Sequence, residues 1–251
     1  MEFRENVVIV SQEKLAGDVY SLWIDTRDIA LNARPGQFIS IYSGDGSRLL
    51  PRPISICETD GTRLRMVYRT VGKGTNEFST YNSGDRLNVV GPLGNGYTLG
   101  NKKAILFGGG IGIPPMLELA KQLKCEKSIV LGYRDELFLN DEFTKYGDVY
   151  IATEDGSAGT KGNVLDAVKA NNITADIIYA CGPKPMLRAI KTFAEENGIE
   201  AYISLEEKMA CGIGACLACV CKTRDVDHHS NVNNARICKD GPVFNAKEVE
   251  L

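Results

Sequence analysis

Long apolar runs are missing from this sequence. None reaches the ~18 residues that a membrane-crossing helix needs, so the 251-residue chain reads as having no membrane span. A charge imbalance is missing too. The net charge is −3, which argues for neither nucleic acid nor an anionic membrane surface as partner. Histidine is scarce, with only His228 and His229. Adjacent histidines point in different directions and lack the paired Cys–His spacing of a Rieske site, so they read as part of a polar loop. The opening residues, Met1 to Asn6, carry charges and no signal-peptide pattern. Cysteine, by contrast, is plentiful. Eight cysteines without an export signal point to a reducing cytoplasm, where thiols serve metals, redox steps or cores. A disulfide framework fits poorly, because a chain of this length needs no staples. Length allows one to three domains, and 43% hydrophobic residues are enough for more than one core.

Four of the cysteines form a pattern. Cys211, Cys216 and Cys219 stand at C-x4-C-x2-C spacing, and Cys238 follows alone. That is the plant-type spacing of a [2Fe–2S] cluster, which takes four thiolates on two irons. Gly212 and Gly214 lie inside the loop, where a missing Cβ lets backbone N–H groups approach the sulfurs. Structural zinc is the competing reading, but zinc sites usually show two C-x2–4-C pairs. Cys221 is an alternative fourth ligand. A C-x-C step beside Cys219 would crowd the loop, so Cys238 is preferred. Cys57, Cys125 and Cys181 read first as small buried residues.

Residues 1 to 98 read as all-β. Val7–Val10, Val19–Ile24, Phe38–Tyr42, Leu64–Arg69 and Leu87–Val90 are short strand-like runs with frequent turns between them, which suggests an antiparallel barrel. Two motifs sit on it. Arg52-Pro53-Ile54-Ser55 precedes an apolar run, and Gly72-Lys73-Gly74-Thr75 leads into a helix start. Free N–H groups at a helix start suit an anion, and an arginine nearby adds a charge-assisted contact. Each motif alone is weak. The order Pro-Gly-Gln-Phe, Arg-Pro-x-Ser, Gly-x-Gly-Thr resembles the flavin domain of the ferredoxin–NADP reductase family. The resemblance implies FAD, with Arg52, Pro53, Ile54 and Ser55 at its phosphate and ring. It implies Gly74 and Thr75 at the pyrophosphate, and Val67, Tyr68 and Arg69 lining the cofactor from the intervening strand.

Gly91-Pro92-Leu93-Gly94-Asn95-Gly96 reads as a linker, and residues 99 to 205 then alternate strand and helix. Strand-like runs begin at Ala104, Ser128, Val149, Ile177 and Tyr202. Helical patterns follow Pro114-Pro115 and cover Asn163–Ala170 and Pro185–Glu196. Such alternation argues for a parallel sheet with helices on both faces, whose ligands bind beyond the C-terminal strand ends. Two turns have that placement: the run containing Gly110 and Gly112, and Cys181-Gly182-Pro183. In the reductase family the corresponding turns flank the nicotinamide nucleotide. Asp135 and Glu136 after the second strand favour the ribose hydroxyls of NAD over NADP, although Arg134 beside them would suit a 2′-phosphate. The Asp155–Gly162 stretch reads as a surface loop.

Residues 206 to 251 leave that periodicity. They contain the cysteine loop, a polar stretch Lys222–Ala235 expected to form a hairpin or loop, and Cys238-Lys239-Asp240-Gly241-Pro242-Val243-Phe244. The expected fold class is therefore α/β plus all-β in three parts: a FAD-binding barrel, a nucleotide-binding α/β domain and a small cluster domain. Taken with both earlier parts, Met-Ala-Cys-Gly-Ile-Gly-Ala-Cys-x-x-Cys and Cys-x-Asp-Gly-Pro-Val-Phe resemble the electron-transfer subunits of class 1B dihydroorotate dehydrogenases. That resemblance implies an FMN-bearing catalytic partner in a two-plus-two heterotetramer, with electrons passing from FMN through [2Fe–2S] and FAD to NAD+. No dedicated acid–base residue is found, and none is needed for flavin-to-nicotinamide hydride transfer. Ile213 and Leu217 are candidates for the partner interface or for local packing. The same modules would also serve a sulfide dehydrogenase or a ferredoxin:NADP oxidoreductase. A partner-free diaphorase and a zinc-bound interaction module are further readings.

Overall fold

The computed structural model describes residues 2–226 and 231–251. The expected polar loop at His228 and His229 lies outside the described residues. The first part is a closed antiparallel barrel of β1 (Phe3–Ala16), β2 (Val19–Asp25), β3 (Phe38–Tyr42), β4 (Arg52–Asp60), β5 (Arg63–Arg69) and β6 (Arg86–Leu93). Their order around the barrel is β1-β2-β5-β4-β3-β6. The long β1 makes closure possible. Its first half pairs with β6 and its second with β2, with register shifts after Ile9 and Lys14. Such bulges bend a strand so that one segment serves two neighbours. Ile24, Ile39, Ile41, Ile56, Met66 and Tyr68 fill the interior. Two short helices, α1 (Ile29–Asn32) and α2 (Lys73–Phe78), add Ile29, Ala30 and Phe78 to this core.

The expected linker begins later than the glycine-rich run suggests. Gly91 pairs with Phe3 and Leu93 with Phe38, so both complete β6. The second sheet comprises β7 (Ala104–Gly109), β8 (Lys127–Tyr133), β9 (Asp148–Thr153), β10 (Thr160–Lys161), β11 (Ile177–Cys181), β12 (Glu200–Ser204) and, from the C-terminal segment, a last strand. Its helices are α3 (Pro115–Gln122), α4 (Asn140–Phe143), α5 (Val164–Ala170) and α6 (Lys184–Glu196). The C-terminal segment adds the hairpin β13 (Val220–Lys222) and β14 (Asn234–Arg236), and β15 (Val243–Asn245). Sheet order is β10-β9-β8-β7-β11-β12-β15, parallel except for β15. Strand order reverses between β7 and β11, which is where ligands of such sheets bind.

Burial on both faces explains the apolar strands. Ile105, Phe107, Val130 and Ile178 face α5 and α6, while Leu106, Ile129, Leu131 and Tyr179 face α3 and α4. Each such side chain contributes ~1.5–3 kcal/mol by leaving water. Helix starts are specified locally. Asn163 Oδ1 accepts from the amides of Leu165 and Asp166, and Asp166 returns a bond from the Asn163 amide at 2.8 Å, a capping box. On α6, Leu187, Ile190 and Ala194 form the buried stripe.

Barrel and sheet meet through a polar seam over an apolar floor. The alternation along β5 places Arg65 on the outer face of the barrel. That face is covered by the second sheet's helices, so Arg65 is buried. Its guanidinium makes two bonds to Glu142, of 2.6 and 3.1 Å, and a third to Ser21 Oγ at 2.9 Å. Glu118 on α3 accepts from the Thr59 amide at 2.8 Å, and Lys121 donates to the Thr59 carbonyl at 2.7 Å. Val19, Cys57 and Val67 of the barrel share a core with Ile113, Leu117 and Tyr97. Removing one partner from a buried charge pair leaves the other uncompensated. Arg65→Met is therefore expected to cost about 2–4 kcal/mol of stability in urea unfolding, within the range for such pairs. A loss under about 0.5 kcal/mol, the level of an ordinary surface substitution, would show that Arg65 and Glu142 do not form a desolvated pair in the seam.

Candidate functional site

The cysteine loop lies between β12 and β13 and has no regular structure. Gly212 at φ +72° and Gly214 at φ +85° turn the backbone so that amides meet sulfur. The Ala215 amide donates to Cys211 Sγ at 3.3 Å, Gly214 to Cys238 Sγ at 3.1 Å and Cys238 to Cys219 Sγ at 3.4 Å. Arg236 draws the Cys238 segment onto the loop. Its Nε and Nη2 each donate to the Asp240 carboxylate at 2.9 Å, and its Nη1 donates to the Gly214 carbonyl at 3.2 Å. Arg236 and Asp240 flank Cys238 in the sequence as an opposite-charge pair, a signal that composition alone does not single out.

Among the described residues, no three His, Cys, Asp or Glu side chains converge as the ligands of one metal ion would. The four thiols stand as two pairs, Cys211 with Cys216 and Cys219 with Cys238. Two pairs suit a cluster of two irons carried on four thiolates. As free thiols the pairs differ. Burial raises Cys211, but the amides of Ile213, Cys216 and Ala215 and the Cys216 thiol outweigh it and bring Cys211 down to about 6. Burial and then the neighbouring Cys219 push Cys238 up to about 12. Cys221 sits on β13 opposite Ala235, outside both pairs. Cys219 and Cys238 are buried, whereas Cys216 is exposed beside Ile213 and Leu217, 47% and 61% exposed.

The loop rests on the barrel. Phe38 and Leu93 share a core with Cys219, Ile237, Cys238 and Phe244. A Cβ on Gly212 would lie 2.9 Å from Ser40 Oγ on β3. Ser40 pairs in register with Pro53, and Phe38 with Ser55. The outward face of the Arg52–Ser55 strand therefore continues directly from the cysteine loop. Ile54 turns the other way, against the barrel interior. Arg52 leaves the strand to lie over Gly74, where a Cβ would come within 2.5 Å of its Nε, and its Nη1 donates to the Leu50 carbonyl at 2.6 Å. Both motifs thus meet at one cation beside the start of α2. Thr75 Oγ1 accepts from the amides of Val71 and Gly72 at 3.0 and 3.2 Å, so its hydroxyl shapes the turn. On β5, Val67 faces the second sheet. Tyr68 points into the barrel, stacked on Tyr20 with its hydroxyl on Gln12 Oε1 at 2.9 Å. Arg69 Nε lies 3.2 Å from Asp18.

The two glycine-rich turns touch each other. Cys181 pairs with Gly108 across β11 and β7. Gly112 abuts the Cys181 carbonyl and the Gly182 amide so closely that no side chain would fit. Gly110, at φ +52°, opens the same turn, and Pro183 begins the approach to α6. The Cys181 thiol is pushed up to about 12 by burial, so it is a neutral group at physiological pH. β5 packs against the Gly110–Gly112 turn. Glu136, expected at a ribose, instead accepts from the Gly17 amide at 2.6 Å, while Asp135 accepts from the Glu136 amide at 2.7 Å. Tyr97 carries no motif or periodicity that marks it in the sequence. It is buried between the parts and donates to the Ala180 carbonyl at 2.9 Å, beside the Cys181 turn.

A family model described as "Iron-sulfur cluster binding domain of dihydroorotate dehydrogenase B" matches residues 206–250. The "Dihydroorotate dehydrogenase B (NAD(+)), electron transfer subunit" of Fusobacterium nucleatum subsp. nucleatum is 44% identical over 98% of both chains. That of Geobacillus kaustophilus is 41% identical over 99% of both. The chain belongs to the family of dihydroorotate dehydrogenase B electron-transfer subunits. The fold agrees across a wider set. The structure reported for the NADH-dependent reduced ferredoxin-NADP oxidoreductase superposes with a TM-score of 0.88 at 34% identity, covering 98% of this chain and 90% of that one. A flavohemoglobin from Malassezia yamatoensis, at 24% identity and a TM-score of 0.66, covers 78% of this chain and 57% of its own, and shares the fold.

In this electron-transfer subunit Cys216→Ser removes the exposed one of the four thiols. Iron and acid-labile sulfide are expected to fall to near zero in the purified protein, while flavin content stays at the parent level. Iron retained at full stoichiometry would count against Cys216 as a ligand.

Proposed function

We propose that this subunit takes electrons from the FMN of a dihydroorotate-oxidising partner and passes them through a [2Fe–2S] cluster and FAD to NAD+, in pyrimidine synthesis. The observation that carries the reading is contiguity. The cysteine loop touches β3 at Ser40, β3 is paired with the Arg52–Ser55 strand, β5 of the same barrel packs on the Gly110–Gly112 turn, and that turn abuts Cys181–Gly182. The candidate sites thus adjoin one another in the order the electrons must travel. A cluster supplies one-electron transfer and a flavin converts single electrons into the hydride that nicotinamide accepts.

The chain's own residues hold and shield these groups. Cys211, Cys216, Cys219 and Cys238 are assigned to the irons, with backbone amides bonded to their sulfurs. Arg52 and the Gly74 turn neutralise the FAD pyrophosphate, with Thr75 fixing the turn from within. Pro53 and Ser55 present the strand face to the ring, and Ile54 packs beneath it. At β5 the assignment is to the backbone of Val67, Tyr68 and Arg69, because Tyr68 is turned inward. Gly110, Gly112, Cys181, Gly182 and Pro183 form the nicotinamide cradle, in which a side chain at Gly112 would push the turns apart. The parts of this reading are residues 1–98, 99–205 and 206–251.

The exposed Cys216 edge, with Ile213 and Leu217 beside it, is where the FMN-bearing subunit docks, in a two-plus-two complex. Among the described residues, no helix is long and apolar enough to cross a membrane. Eight free thiols suit the reducing cytoplasm. A reductase subunit serving ferredoxin is the second reading, favoured by the 0.88 TM-score to that oxidoreductase. The partner decides between them. Dihydroorotate-dependent NADH formation is expected only when this protein, holding cluster and FAD, is combined with its FMN-bearing partner. No NADH from the combined, fully loaded proteins would favour the second reading. Arg52→Ala is expected to weaken FAD binding by about ten- to a hundredfold, for the loss of a charge-assisted contact of ~1.5–3 kcal/mol. The released-flavin fluorescence checks it, and unchanged retention would remove Arg52 from the phosphate site.

A further inference from the structure

Ser40 has an unusual position on β3. It is 2% exposed, and its hydroxyl has no hydrogen-bond partner among the described residues. A buried polar atom without a partner is unfavourable, and each one in a folded protein calls for an explanation. Its neighbours in register on the same face are Pro53 on β4 and Val90 on β6. Phe38, two residues earlier, belongs to an apolar core. A larger apolar side chain would suit such surroundings. The remaining neighbour is the cysteine loop, at Gly212, immediately after Cys211. An added Cβ there would come 2.9 Å from the Ser40 oxygen. Glycine at this position thus leaves the hydroxyl facing the loop without a side chain between them. The loop is rich in acceptors of one kind. Two of its sulfurs, at Cys211 and Cys219, and that of the returning Cys238 already take backbone N–H donors.

We propose that the Ser40 hydroxyl is the barrel's hydrogen-bond donor to the iron–sulfur cluster, at the edge beside Cys211, and that it raises the cluster's reduction potential. The inference rests on the cluster reading of the four cysteines. Its physical basis is that adding an electron makes the cluster more negative, and a donor to its sulfurs stabilises that state more than the oxidised one. Ser40 is a positioning and tuning group, and holds no iron. Its location on the strand paired with Arg52–Ser55 puts the donor on the side of the cluster that faces the flavin motif.

The test compares Ser40→Ala and Ser40→Thr with the parent, each purified with its cluster and FAD and assayed for iron, sulfide and flavin. An EPR-monitored redox titration reads the cluster, and an absorbance titration reads the flavin. Ser40→Ala is expected to keep its iron and to reduce the cluster's reduction equilibrium constant about tenfold, which is about 59 mV for one electron. Ser40→Thr, which keeps the hydroxyl, is expected to restore the parent value, and the flavin is expected to be unmoved in both. An unchanged cluster potential in Ser40→Ala would overturn the proposal. A shift confined to the flavin would also overturn it and assign the hydroxyl to the flavin. Iron lost from Ser40→Ala alone would make the residue a structural one. A parent protein without iron would instead overturn the cluster reading itself, and the proposal with it.

Discussion

One apolar core joins the three parts of the chain. Phe38 and Leu93 come from the barrel, Phe107, Ala180 and Ile203 from the sheet, and Cys219, Ile237, Cys238 and Phe244 from the C-terminal segment. Because these side chains leave water together, the cysteine loop has one place to go. It is held on the outer face of β3, next to the strand that carries Arg52 and Ser55. A loop tethered only by its own ligands would have no such fixed relation to the barrel. The antiparallel addition of β15 to β12 reinforces this, bringing the chain past Cys238 back into the sheet. The Asn95 amide then bonds the Gly241 carbonyl at 2.6 Å.

The second contact surface, between barrel and α3–α4, works differently. It is a seam of charges, with Arg65 on Glu142 and Lys121 and Glu118 on Thr59. Buried charges give little net stability, because desolvation offsets much of their attraction. They are demanding in geometry, since a misplaced carboxylate leaves a guanidinium unpaired. The apolar core supplies adhesion, and the seam supplies orientation. The consequence for function is that β5 and the Gly110–Gly112 turn keep a fixed relation. The proposed flavin strand and nucleotide turn need such a fixed relation to exchange a hydride.

Within the loop, backbone and side chains divide the work. Positive φ at Gly212 and Gly214 aims amides at sulfur, and Arg236 ties Gly214 to the Asp240 side of Cys238. Of the four thiols, Cys216 is left toward solvent, Cys211 is half-buried, and Cys219 and Cys238 lie in the core. The asymmetry gives the centre an outward edge, at Cys216, and an inward one facing the barrel.

Much of this was legible in the residues themselves. The spacing of the four cysteines marks one short loop and one returning segment, and the structure brings the two together. The barrel and the parallel sheet followed from periodicity, since burial on one face or two leaves a direct mark on the order of apolar residues. The strand-then-turn positions of Gly110, Gly112 and Cys181 followed from the same pattern. Other features had no such mark. The alternation on β5 put Arg65 on an outer face but could not say that another part of the chain covers it. The same alternation turns Tyr68 into the barrel, whereas the reductase-family resemblance implies a place for it along the cofactor. Glu136 stands where a ribose-binding acid would stand, yet the Gly17 amide takes it. Ser40 is an ordinary serine in an ordinary strand until Gly212, far along the chain, comes to lie beside it. The sequence by itself determined which cysteines are spaced for a common site, where the strands run and which turns close them, because those properties are local or periodic. Only the tertiary structure decided which face is covered, which carboxylate is already engaged and which hydroxyl meets the loop. Those depend on contacts between residues distant in sequence, and no local pattern records them.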